Sequence, residues 1–109
     1  MNRDVLLKLL QEVAAGAQTP QDAARQLEHL ACQDLGYAHV DHHRSLRKGF
    51  PEVIYGEGKS AEQIAGIMDC MRSQERVILT TRVDHAKARD VRERFPEACY
   101  HPEARMLVW

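Results

Sequence analysis

Glu52-Val53-Ile54-Tyr55-Gly56-Glu57-Gly58-Lys59-Ser60-Ala61-Glu62-Gln63 is the stretch on which the fold turns. Val53, Ile54 and Tyr55 are β-branched or aromatic and favour an extended chain. The two glycines then let the backbone turn sharply, and Ser60 with Gln63 three residues later has the spacing of a capping box at a helix start. The order is strand, glycine loop, helix. Ile64, Ile67, Met68 and Met71 repeat at helical spacing behind that cap, and Val77-Ile78-Leu79-Thr80-Thr81 follows as a short apolar run bounded by charges. A strand, a helix and a second strand in this order predict parallel pairing by a right-handed crossover.

Working outward, Asp84 reads as the cap of a further helix that runs to about Arg94 and is stopped by Pro96, with short strands at 98–101 and 105–109. Toward the N-terminus, Val5, Leu6, Leu9, Leu10 and Val13 make one amphipathic helix with Gly16 past its end. Thr19, Pro20 and Asp22 open a second helix, whose stripe is Ala23, Ala24, Leu27, Leu30 and Ala31. The short loop between the two predicts an antiparallel hairpin. From Tyr37 to Asp41 the pattern alternates as in a half-buried strand, which we assign to the same sheet as 52–55 and 77–81. The expected fold is α+β, one domain over 1–109: a helical hairpin (1–33) packed on a small mixed sheet with two further helices (34–109).

A chain of 109 residues with 44% hydrophobic and 28% charged residues has the make-up of an ordinary globular domain, not of a disordered chain. Its formal charge of −1 leaves no bulk electrostatic basis for binding nucleic acid or an anionic membrane, so neither is expected as a partner. The early apolar run Val5-Leu6-Leu7 is far too short for a membrane span or a signal peptide, which predicts a cytoplasmic protein. Cys32, Cys70 and Cys99 are odd in number and lack a Cys-x-x-Cys, so they are read as small hydrophobes. The chain stops at Met106-Leu107-Val108-Trp109, inside an apolar strand pattern, and this ending predicts a fragment that continues beyond Trp109.

The densest polar stretch is Asp41-His42-His43-Arg44-Ser45-Leu46-Arg47-Lys48-Gly49-Phe50-Pro51-Glu52. With Gly56, Gly58 and Lys59 it offers guanidinium forks and turning backbone suited to an anionic small molecule. The competing reading is a solvated segment in which Arg44, Arg47 and Lys48 pair with Asp41 and Glu52. A Walker A loop is excluded, because the position that must be glycine is Val53. A metal site from His39, Asp41, His42 and His43 is set aside: adjacent His42 and His43 point opposite ways in a strand, and no second ligand pair stands at suitable spacing. His29, His85 and His101 read as surface or capping residues, and Tyr100 and Trp109 as packing residues. No residue set supplies both a nucleophile and a positioned acid or base, so no catalytic residue, metal or cofactor is assigned.

At Asp41-His42-His43-Arg44, Arg47-Lys48-Gly49-Phe50-Pro51-Glu52-Val53-Ile54 and Gly56-Glu57-Gly58-Lys59, the sequence resembles the N-terminal domain of the LarB family, and Tyr100-His101-Pro102 with Arg105–Trp109 resembles that domain's end. The resemblance implies a role in making the nickel-pincer nucleotide cofactor. LarB proteins carboxylate the pyridinium ring of nicotinic acid adenine dinucleotide and hydrolyse its phosphoanhydride, using a C-terminal domain similar to aminoimidazole ribonucleotide carboxylase. Residues 1–109 hold no counterpart of that domain, which the resemblance would place after Trp109. What the resemblance implies here is a non-catalytic domain, inactive alone, that assists binding of the anionic dinucleotide or assembly. Its expected partners are a carboxylase-like domain in cis or in trans and further copies in a homo-oligomer. The substrate-binding candidates are Asp41, His42, His43, Arg44, Arg47, Lys48, Glu52, Gly56, Gly58 and Lys59. The alternative is a stand-alone module for an anionic nucleotide or a protein partner.

Overall fold

The computed structural model describes residues 1–28 and 33–109. It divides into two compact units, Met1–Pro51 and Glu52–Trp109, and each is built from its own local signals. The class is α+β, with five helices and two small sheets among the described residues.

In the first unit, α1 spans Arg3–Ala14 and α2 spans Pro20–Glu28, and the two pack together. The Asn2 side chain accepts the Val5 N–H at 3.0 Å and caps α1. Gly16, with φ of +73°, ends it in the left-handed conformation that glycine adopts without a Cβ clash. Thr19 Oγ1 accepts the Asp22 N–H and donates to the Asp22 carboxylate, which makes the expected start of α2. Of the predicted α1 stripe only Leu9 is fully buried, together with Met1, Ala23 and Val40, while Val5 and Leu10 stay exposed. The expected stripe residues Leu30 and Ala31, with His29 and Cys32, lie outside the described residues.

Two expectations are corrected in this unit. The strand predicted at 37–41 is only His39–Val40 (β2), and it joins no residue of the larger sheet. It pairs antiparallel with Gln33–Asp34 (β1) in a separate two-stranded ribbon, in the register Gln33 to Val40 and Asp34 to His39. Asp34 Oδ1 accepts the Gly36 N–H at 2.7 Å and so folds the intervening turn. The polar segment 41–52, to which no helix is assigned from the sequence, contains a short one, α3 (Arg44–Lys48), which ends at Gly49 with φ of +71°.

The second unit is the predicted β-α-β and its continuation. Strand β3 (Val53–Tyr55), helix α4 (Ala61–Met71), β4 (Leu79–Thr81), α5 (His85–Arg94), β5 (Cys99–His101) and β6 (Met106–Val108) follow in chain order. The sheet order is β3-β4-β6-β5; β3 and β4 are parallel and the remaining neighbours antiparallel, so the sheet is mixed. Ile54, Thr80 and Leu107 form one row across it, and all three are buried. They share the core with Ile64, Ile67, Met68 and Met71 of α4, Ala88 and Val91 of α5, and Phe95. Both halves of the capping box are present: Ser60 Oγ accepts the Gln63 N–H, and Gln63 Oε1 accepts the Ser60 N–H. Asp84 caps α5 by accepting the Lys87 N–H at 2.8 Å. The charged faces of the helices are tied by an ion pair between Arg94 and Asp69.

Candidate functional site

In the first unit, α3 and the residues before it gather the predicted polar groups. Arg47 takes the Asp41 carboxylate with both terminal nitrogens, Nη2 to Oδ2 at 2.6 Å and Nη1 to Oδ1 at 3.3 Å. The His43 N–H donates to the same Oδ1 at 3.1 Å. The Arg47 guanidinium, by hydrogen bond first and by charge second, holds the Asp41 carboxyl below its ordinary value against the opposing effect of burial. Arg47 Nη1 also lies 2.9 Å from His43 Nδ1. Because a guanidinium has donors only, Nδ1 is the acceptor in this bond and the neutral ring carries its proton on Nε2.

His42 points the other way and is buried, 2% exposed, with Nε2 3.0 Å from Gln33 Oε1. This bond joins the start of α3 to the ribbon. Ser45 Oγ donates to the Met1 carbonyl, and the Met1 amino group donates to the carbonyl of His42. Lys48 is exposed at the end of α3. Arg44 is half-buried, and its Nε is shielded from solvent with no hydrogen-bond partner among the described residues. The candidates here therefore differ in state: Asp41, His43 and Arg47 engage one another, His42 packs inward, and Arg44 and Lys48 have no carboxylate partner among the described residues.

In the second unit, Glu52 stands half-buried just before β3, and the Gly56–Lys59 loop connects β3 to α4. The loop is a closed turn: the Lys59 N–H donates to the Gly56 carbonyl at 3.2 Å, with Gly58 at φ of +77°. The Gly56 N–H donates to the Thr81 carbonyl at 2.8 Å, so β4 presses against the loop. A Cβ on Gly56 would lie 2.6 Å from that carbonyl oxygen, which explains the glycine by close backbone approach. Three donors that an anion cradle could present, the amides of Gly56, Lys59 and Ser60, are thus already used within the fold. The Lys59 ammonium donates to the Tyr55 carbonyl at 2.7 Å.

The chain matches the model of one protein family, the LarB/PurE-like N-terminal domain, over residues 32–109. It belongs to that family. Compared with curated proteins, it matches none. The matched stretch leaves out α1 and α2 and holds every predicted site residue, from Asp41 to Lys59.

Within this LarB-type domain, two cations escaped the sequence reading. Arg82, at φ of +54°, places its guanidinium 4.7 Å from the centre of the Tyr55 ring and 3.7 Å from the Glu57 carboxylate. Lys87 Nζ donates to the Gly56 carbonyl at 3.1 Å. The parallel β-α-β supplied a signal for both, since it sets whatever follows β4 beside whatever follows β3. No group of three or more His, Cys, Asp or Glu side chains able to hold a metal occurs among the described residues, and no helix among them is long and apolar enough to cross a membrane.

Proposed function

We propose that this chain is the non-catalytic N-terminal domain of a LarB-like enzyme of nickel-pincer cofactor biosynthesis, a cytoplasmic protein that carboxylates and hydrolyses nicotinic acid adenine dinucleotide. The observation that carries the reading is the family match across 32–109, which names an N-terminal domain and so implies a carboxylase-like partner domain. The contribution of this domain is to hold the anionic dinucleotide or to assemble the enzyme. Arg44 and Lys48 support the first role, because among the described residues neither is engaged by a carboxylate as Arg47 is by Asp41.

Titration with nicotinic acid adenine dinucleotide, on this chain alone and joined to a carboxylase-like domain, tests the proposal. Saturable binding by the joined protein that weakens on Arg44→Ala supports it. If removing residues 1–109 leaves substrate affinity, turnover and oligomeric state of the joined protein unaltered, both roles are refuted and a stand-alone binding module is the better reading.

A further inference from the structure

Strand β5 is the terminal strand of the larger sheet, and the hydrogen-bond alternation shows which of its main-chain groups face outward. Ile78 and Trp109 exchange both main-chain bonds, at 2.9 and 3.0 Å, so Trp109 and, two residues back, Leu107 turn their N–H and C=O toward the β4 side. Met106 and Val108 then turn theirs toward β5, where they meet His101 and Cys99. Tyr100 lies between those two residues. Its N–H and C=O are therefore directed away from β6, onto the edge of the sheet.

Beside this edge lies a cleft of about 360 Å³ lined by His85, Ala88, Arg89, Arg92, Glu93 and Tyr100. One wall is α5, on which His85, Arg89 and Arg92 follow at intervals of four and three residues and share a face. The other wall is β5. The Tyr100 ring is fixed between them: its hydroxyl donates to the Val83 carbonyl at 2.6 Å, and its ring meets His85 edge to face at 5.2 Å. Arg92 has no acidic partner among the described residues, and Arg89 has only its exposed neighbour Asp90 at 3.1 Å, a pairing of little strength. Glu93 is the only carboxylate in the lining.

We infer that the groove between β5 and α5 docks an extended acidic segment of a partner protein. One residue of that segment pairs with the Tyr100 main chain, and its acidic side chains reach Arg89 and Arg92. Directly opposed residues of an antiparallel pair place their side chains on the same face of the sheet. A residue opposite Tyr100 therefore sends its side chain to the face where the Tyr100 ring meets α5. Pro102 has no N–H and closes the strand one residue beyond His101, so main-chain pairing is short and the basic helix face supplies much of the affinity. This inference is independent of the dinucleotide reading, which concerns other residues.

The test uses the full chain and a labelled short peptide alternating glutamate with valine, followed by fluorescence anisotropy and by the Tyr100 amide resonance. Binding with a Kd below about 1 mM, weakened at least about tenfold by Arg92→Glu, is expected. A lysine-valine peptide should not bind, and a glutamate-valine peptide N-methylated at alternate residues should bind at least about tenfold more weakly, because it cannot pair with the edge. The melting temperature of Arg92→Glu is measured alongside, and Arg92→Lys, which keeps the charge, should retain most of the affinity. Absence of binding, equal binding of the N-methylated peptide, or displacement of the peptide by millimolar inorganic phosphate without movement of the Tyr100 amide would each overturn the inference; the last would leave a small-anion site.

Discussion

Arg47 and Asp41 form a two-point clamp, Nη2 to Oδ2 at 2.6 Å and Nη1 to Oδ1 at 3.3 Å, across the first turn of α3. A helix of five residues with no side-chain cap cannot stand on its own hydrogen bonds, and this clamp, with the His43 N–H on the same carboxylate, supplies the missing anchor. Arg47→Ala should lower stability by up to about 1 kcal/mol, since the pair is partly exposed, and Arg47→Lys should not restore it because an ammonium cannot span both oxygens. Thermal melts of the two variants check this, and a lysine variant that melts like the parent would show that charge alone suffices.

The same clamp predicts an acid-sensitive term. Asp41 is held below its ordinary value of 3.8, chiefly by the Arg47 hydrogen bond. A depressed carboxyl contributes its stability above the unfolded-state value and loses it as pH falls through the lower, folded-state value. Urea unfolding from pH 5 down to about pH 2 should therefore lose stability more steeply in the parent than in Arg47→Ala. Parallel curves would mean that Asp41 does not carry the loss.

Gly56 and Gly58 sit two residues apart and should respond differently to alanine. At Gly56 a methyl group meets the Thr81 carbonyl at 2.6 Å and Val83 Cγ2 at 3.0 Å, and neither can withdraw without moving β4 or its exit. A loss of about 1–3 kcal/mol is expected from overpacking. Gly58 has open space around it and pays only for its φ of +77°, about 1 kcal/mol. Equilibrium denaturation ranks the two; the reverse order would contradict the close approach of β4 to the loop.

The second unit was legible because its signals are local and redundant. Val53–Tyr55, the Ser60–Gln63 box, the Ile64 to Met71 stripe and the Asp84 cap each specify an element, and their order dictates the parallel pairing of β3 and β4. The first unit was harder for physical reasons. Alternation over Tyr37–Asp41 announces an extended chain but not its partner, and the partner Gln33–Asp34 is polar and two residues long. In α3 only Leu46 is apolar, so no periodicity marks the helix. Adjacency in the sequence groups the candidate cations, and only their contacts separate Arg47, held by Asp41, from Arg44 and Lys48.

On the proposed reading turnover resides in the carboxylase-like domain, and this chain alone is expected to show none. Burial pushes the Cys70 thiol above its ordinary value, away from the reactive thiolate. Incubation of the purified chain with nicotinic acid adenine dinucleotide and bicarbonate should give neither carboxylated product nor adenosine monophosphate, and formation of either would place chemistry in this domain.

Arg44 and Arg47, one turn apart on α3, divide the ligand-binding and structural readings of this segment. Arg47 is engaged by Asp41, so its loss should lower the melting temperature and leave dinucleotide affinity of the joined enzyme unchanged. Arg44 has a shielded Nε without a hydrogen-bond partner among the described residues, so its truncation removes no hydrogen bond there. Arg44→Ala should instead weaken use of the dinucleotide by about tenfold or more, as expected for one charge-assisted contact of about 1.5–3 kcal/mol. Arg44→Lys should fail to rescue a two-pronged contact. Melting temperature and dissociation constant measured on the same variants separate the roles: an unchanged dissociation constant for Arg44→Ala removes the ligand role from α3 and leaves its cations as part of the fold.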